Sequence, residues 1–225
     1  SSLSAGNHTV EAIFTSADTN FNDSNDLLDG GQTVNKRNTL TTVSSSLNPS
    51  TFGESVSFTA AVVGTGAGAG DPSGGSVQFK IDGANFGAPV ALAGGLATSG
   101  STSSLSAGNH TVEAIFTSAD TNFNDSNDLL DGGQTVNKRN TLTTVSSSLN
   151  PSVYGQNVTF TATVVGTGAG AGNPSGGSVQ FKIDGVNTGA PVALTAGSAS
   201  SGAINNINAG SHTVEAVFTS SDTNF

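Results

Sequence analysis

The side chains best equipped to hold an ion are four aspartates, Asp18, Asp23, Asp26 and Asp29, with Asn20, Asn22 and Asn25 between them. The same set returns further along as Asp120, Asp125, Asp128 and Asp131. Calcium takes about six to eight oxygen ligands, and loop carboxylates, amides and backbone carbonyls supply them. Both stretches are therefore candidate calcium sites, and calcium is the one cofactor the sequence suggests. Their spacing departs from the EF-hand loop. Asp and Asn also stabilise turns through their own side-chain hydrogen bonds, so a solvated turn accounts for the same residues.

Other chemistry finds less support. His8, His110 and His212 occupy one repeated position, each without a second His or Cys nearby, and read as structural residues at a strand start. No G-x-S-x-G turn leads from strand to helix, so serine hydrolysis has no nucleophile elbow. The glycine-rich runs 64–70 and 166–172 are not followed by Lys-Ser/Thr and a helix, which removes a phosphate loop and leaves a flexible hairpin connection. An isopeptide crosslink would need a buried lysine, and strand alternation turns Lys80 and Lys182 outward. No catalytic residue is expected, and the chain reads as a non-enzyme. Asn7, Asn22, Asn109, Asn124 and Asn157 open Asn-x-Ser/Thr triplets, a short pattern in a chain this rich in Ser and Thr.

Composition bounds the rest. The 225 residues include no Cys, Met or Trp, so disulfides, thiolate metal sites and thiol nucleophiles are absent. Only 10% are charged and the net charge is −10, which disfavours nucleic acid and anionic lipid as partners. No apolar run reaches the roughly 18 residues of a membrane span, so this segment is not expected to insert in a bilayer.

The elements that must position any site come from an internal repeat. Residues 1–50 recur unchanged as 103–152, an offset of 102, and residues 55–83 recur with substitutions as 157–185. In each copy apolar residues alternate with polar ones: Val56, Phe58, Ala60 and Val62; Val77, Phe79 and Ile81; Val112, Ala114 and Phe116. Alternation of period two marks strands buried on one face. Gly, Asn, Asp and Pro clusters separate them. Strands are expected at 39–47, 55–63, 76–82, 86–92, 95–104, 109–118 and 130–136, and helix hardly at all. About seven short strands per 100 residues suit an immunoglobulin-type sandwich. The predicted architecture is all-β, with tandem sandwiches in an extended array. It comprises the last two strands of an incomplete domain (1–34), a complete domain (35–136) and a domain lacking its last strand (137–225), with residues 136–140 as a linker that sets the angle.

The order TLTTVSSSLNPSTFGESVSFTAAV (39–62), PSGGSVQFKIDG (72–83), LSAGNHTVEAIFTSADTNF (105–123) and GGQTVNK (132–138) resembles the bacterial immunoglobulin-like repeat family, group 3. Phe116 stands where that family usually carries a tyrosine. The resemblance implies a secreted or surface-anchored modular protein whose repeats serve as spacers, adhesive units or filament subunits, and it carries over no catalytic residues. The expected function is therefore a structural segment of an extracellular filament, stalk or giant surface protein. The alternative is an adhesin module whose loops bind a glycan or protein. The expected partners are adjacent repeats of a longer chain, or further copies joined head to tail by strand addition.

Overall fold

A computed structural model describes residues 3–68 and 70–225. Its elements are β-strands, and the chain divides into two compact units.

The first unit comprises Ser1–Ser46, Ser57–Gly100 and Thr111–Gly133. One sheet runs in the order Leu96–Thr98, Phe58–Thr65, Asn38–Ser45, antiparallel throughout. A second runs Ser126–Leu129, Val112–Ser118, Gly75–Ile81, Ala84–Ala91. The alternation read from the sequence sets the facing surfaces: Phe58, Ala60 and Val62 from one sheet, and Val77, Phe79, Val112, Ala114 and Phe116 from the other, are all completely buried. Phe58 meets Phe86 edge to face, ring centroids 6.3 Å apart, and so ties the sheets together. Each buried Val or Phe contributes about 1.5–3 kcal/mol through removal from water. The hairpin after Ile81 turns on Asp82 (φ 51°) and Gly83 (φ 79°). Both sit at positive φ, the requirement of the tight turn that matches strand twist.

The same unit holds two further antiparallel strand pairs, Gly6–His8 with Gln32–Val34 and Glu11–Phe14 with Ser24–Leu27. Residues 3–34 thus carry four short strands. Their apolar side chains are open, with Phe14 56% exposed, whereas its counterpart Phe116 is fully buried.

The second unit comprises Leu47–Val56, Ser101–His110 and Gln134–Phe225. Gln134–Asn137 lies between Gly108–His110, antiparallel, and Ser50–Thr51, parallel. A second sheet orders Asn140–Ser147, Phe160–Thr167, Ser198–Ser200. In a third, Ser178–Ile183 pairs with Val186–Asn187, Val192–Ala193 and Val214–Thr219. Val158, Phe160, Ala162, Val164, Val179, Phe181, Leu194 and Ala199 form its core.

Several expected strands differ in extent. The run 109–118 breaks at Thr111, whose N–H donates to the Asp82 carboxylate at 2.9 Å, so the chain changes sheets there. The run 95–104 narrows to Leu96–Thr98, and 130–136 to Gln134–Asn137. Ser126–Leu129 is a strand where the sequence suggested a turn. Its Ser-Asn-Asp-Leu lacks alternation because the inward side chains are polar: Ser126 and Thr41 hydroxyls lie 2.7 Å apart, and Val43 N–H donates to Asp128 at 3.0 Å.

Candidate functional site

The residues between repeats form the most developed polar cluster, and it occurs in both units. Residues 136–140 are not a free linker: Val136 is 4% exposed within its strand and Arg139 is 9% exposed, so only Lys138 and Arg139 separate Gln134–Asn137 from Asn140–Ser147. In the first unit Arg37 N–H donates to Asn122 O at 2.8 Å and Asn124 N–H to Arg37 O at 2.9 Å. The Arg37 guanidinium donates to Gly64 O at 3.0 Å and also to Gly70 O. In the second unit Arg139 N–H donates to Asn224 O at 2.9 Å, and its guanidinium donates to Gly172 O.

The acidic residues shape this arrangement. Asp120 Oδ1 accepts from both N–H groups of Asn122, backbone at 2.9 Å and side chain at 2.8 Å. That turns Asn122 Oδ1 to accept the N–H of Ala5 at 2.6 Å. At the offset of 102, Asp222 Oδ1 accepts from Asn224 N–H at 2.9 Å and Asn224 Oδ1 accepts from Ala107 N–H at 2.7 Å. Lys138 Nζ donates to Phe225 O at 3.2 Å, and Phe225 meets Phe52 edge to face at 5.6 Å.

The glycine runs take part in the same cluster. Their carbonyls receive the arginines, and Asp71 and Asn173 accept from Gly64 and Gly166 N–H at 2.8 and 2.9 Å, closing each loop. Gly170 has φ +94°, and a β-carbon there would overlap the carbonyl of Phe52. Gly53, at φ +86°, would likewise overlap the backbone of Ala171. Glycine is required at these two points because backbones meet without room for a side chain. The expected hairpin connection is thus also a contact surface.

The remaining aspartates are dispersed. Asp18 accepts from Asn20, Asp23 from Ser16 N–H at 2.9 Å, and Asp125 from Ser118 N–H at 2.8 Å. Asp26 and Asp128 stand on strands, Asp29 and Asp131 in the turns beyond them. Among the described residues no group of three or more His, Cys, Asp or Glu is placed to hold a metal ion.

The histidines sit beside turns. The Nε2 atoms of His8, His110 and His212 meet the carbonyls of Ser4, Ser106 and Asn208 at 2.7, 2.9 and 2.9 Å. His212 Nδ1 lies 2.6 Å from Asp184 Oδ2. The hydrogen bond His212 donates to the Asp184 carboxylate, followed by that to Asn208 O, raises the His212 pKa above the ordinary imidazole value. The bond from His212, then the N–H of Thr213, lowers that of Asp184. Lys182 pairs with Glu215 at 3.5 Å on a solvated face.

Arg37 and Arg139, which hold the glycine loops, are residues that sequence reasoning missed. The signal was available: they are the only two arginines of the chain, and they stand one repeat apart.

Facing antiparallel sheets, repeated with the same polar cluster beside each linker, define immunoglobulin-type sandwich modules in tandem. The chain belongs to the bacterial Ig-like domain family, group 3, whose model matches residues 40–137 and 142–225. Among solved structures, the fibronectin(III)-like modules of Clostridium thermocellum CbhA are similar at 17% identity and a TM-score of 0.31, over 82% of this chain and 87% of that one. No curated protein matches the sequence.

Proposed function

We propose that this chain is a structural segment of an extracellular filament, stalk or large surface protein, working through module-to-module contacts rather than chemistry. The observation that supports this reading is the recurrence, one repeat apart, of the Arg–glycine-loop and Ala–Asn–Asp bonds around the linkers. Such a cluster suits a spacer, because a joint that repeats unchanged lets modules be added without redesign. Few charges and no sulfur also suit material exposed outside the cell, where oxidation would damage Cys and Met.

The test is electron microscopy of the native material. Thin fibres of even width, with a period near 40 Å per module, are expected from strands of about seven to ten residues at roughly 3.3 Å each plus loops. Compact isolated particles would overturn the reading. Retention of one repeat on a glycan or host-protein array would favour an adhesin instead.

A further inference from the structure

The two sheets of each sandwich differ in the charge of their outer faces. With Val77, Phe79, Val112 and Ala114 buried, alternation turns Lys80 and Glu113 outward on their sheet, and the second unit keeps that pattern in the Lys182–Glu215 pair. The opposite sheet of the first unit, Leu96–Thr98, Phe58–Thr65 and Asn38–Ser45, contains no Asp, Glu, Lys or Arg. Neither do its equivalents in the second, Ser198–Ser200, Phe160–Thr167 and Asn140–Ser147.

The outward side chains of this uncharged sheet stand in rows set by the strand register. Leu40 lies beside Val63 at one end and Ala61 beside Leu96 in the middle, with Leu40, Val63 and Leu96 50%, 44% and 51% exposed. The far end is small and hydroxylated: the Thr59 and Thr98 hydroxyls lie 3.0 Å apart, and Ser44 Oγ donates to Thr59 O at 3.3 Å. One repeat on, Leu142 beside Val165 keeps the bulky end, 52% and 36% exposed. There the Thr161 and Ser200 hydroxyls lie 3.1 Å apart, and Ser146 Oγ donates to Thr161 O at 3.4 Å. Hydroxyls bonded within their own sheet can leave water at little cost, whereas unpaired ones would oppose burial.

We propose that this uncharged face is a lateral interface through which one copy of the chain pairs with the same face of a second copy. Charge selects the occupant first: the chain carries a net charge of −10, so most approaches between copies bring like charges together, and the repulsion is least here. Shape selects it again, because the face is complementary to itself. Stacked about a two-fold axis lying across the strands, it sets Leu40 of one copy over Ser44 of the other and Val63 over Thr59, bulky onto small, with Leu96 against its own counterpart at the axis. Three strands about 4.8 Å apart, with about seven residues at roughly 3.3 Å each, give a face of roughly 14 by 23 Å. Two such faces bury roughly 650 Å², below the about 1,200 Å² of a stable complex, so a single contact is weak. Carrying the face twice, a chain can strengthen the pairing or join two neighbours.

Lateral pairing is read on the chain in solution and end-to-end continuity on native fibres, so either can fail without the other. The 225-residue chain is sedimented over a concentration series reaching about 1 mM, at low and at high salt. Reversible association is expected, stronger at high salt, because screening relieves the net charge while an uncharged contact loses nothing. Val63→Lys with Val165→Lys, at outward positions, should weaken it tenfold or more by setting like charges into the contact. Leu40→Thr with Leu142→Thr, a milder change on the same face, should weaken it as well, whereas Thr117→Lys with Thr219→Lys on the charged sheet should leave it unaltered. A chain that stays monomeric throughout, association that salt dissolves, or association that both sets of face variants leave intact would overturn the proposal. A monomeric chain that instead sediments with added polysaccharide, and loses it in the Val63→Lys, Val165→Lys variant, would overturn the second copy and assign the face to a glycan.

Discussion

Replacing Gln134 by alanine tests whether one buried amide fixes the strand Gln134–Asn137 in place. Its Nε2 reaches Leu47 O at 2.9 Å, Thr135 O at 3.1 Å and Ser50 Oγ at 3.2 Å, with the side chain wholly out of solvent. Buried hydrogen bonds contribute about 1 kcal/mol each after exchange with water. Two to three of them, lost together with side-chain volume, amount to about 2–3 kcal/mol. The loss is local, so it belongs to opening of this strand rather than to the whole chain. Hydrogen exchange reads it at the amides of Phe52, which donates to Asn137 O, and Thr135, which donates to Asn48 Oδ1. Both should exchange roughly 30- to 150-fold faster in Gln134→Ala. Gln134→Met, which keeps most of the volume and no donor, should accelerate them nearly as much. Protection within about threefold of wild type in both variants would refute the reasoning, because the bonds would then be replaceable by packing alone.

Three further outcomes follow from other parts of the molecule. Phe181 is 1% exposed in the core of the second unit, and Phe181→Ala should cost about 3–5 kcal/mol in denaturant unfolding of that unit. Gly170→Ala should lower stability by about 1–3 kcal/mol, because a β-carbon meets the Phe52 carbonyl. Gly168→Ala, also at positive φ but with open space around it, should lose only about 1 kcal/mol. The His212–Asp184 pair makes stability depend on pH with a definite sign. A raised histidine pKa gives a contribution that is full below the ordinary imidazole value of about 6.5 and fades as pH rises through the folded value. The lowered Asp184 pKa gives one that is full above about 3.9 and fades as pH falls through its folded value. The difference in Tm between wild type and His212→Gln should therefore be level between those limits and close on both sides; a difference that persists unchanged to pH 9 would contradict it.

The parts of this fold that were legible in the sequence are those in which apolar side chains alternate. Phe58, Val77, Phe79, Val112 and Phe116 announced their strands and their inward direction before any coordinates, because one buried face imposes a period of two. Ser126–Leu129 was not legible, since its inward residues are a serine and an aspartate satisfied by partners 85 residues away in sequence. The break at Thr111 depends on a carboxylate 29 residues earlier, which no local pattern encodes. At the linker, the arginines had the right rarity and phase, but their acceptors are glycine carbonyls, and backbone oxygens leave no mark in composition. The aspartates drew attention as ion ligands through their type. In the structure several of these carboxylates accept from a nearby amide N–H, a use that spacing alone does not distinguish from coordination.

Exact duplication of residues 1–50 has a consequence for how the chain reaches its native pairing. Gly75–Ile81 takes Val112–Ser118 as its neighbour, yet an identical stretch, including Glu11–Phe14, lies upstream. No side chain can discriminate between the two suitors. The upstream one is roughly twice as distant along the polymer, a closure disadvantage of only about 0.6 kcal/mol per doubling. It also leaves the ribosome first. Correct mating is therefore decided by timing and proximity, and any pause in synthesis between the two copies would favour the wrong partner.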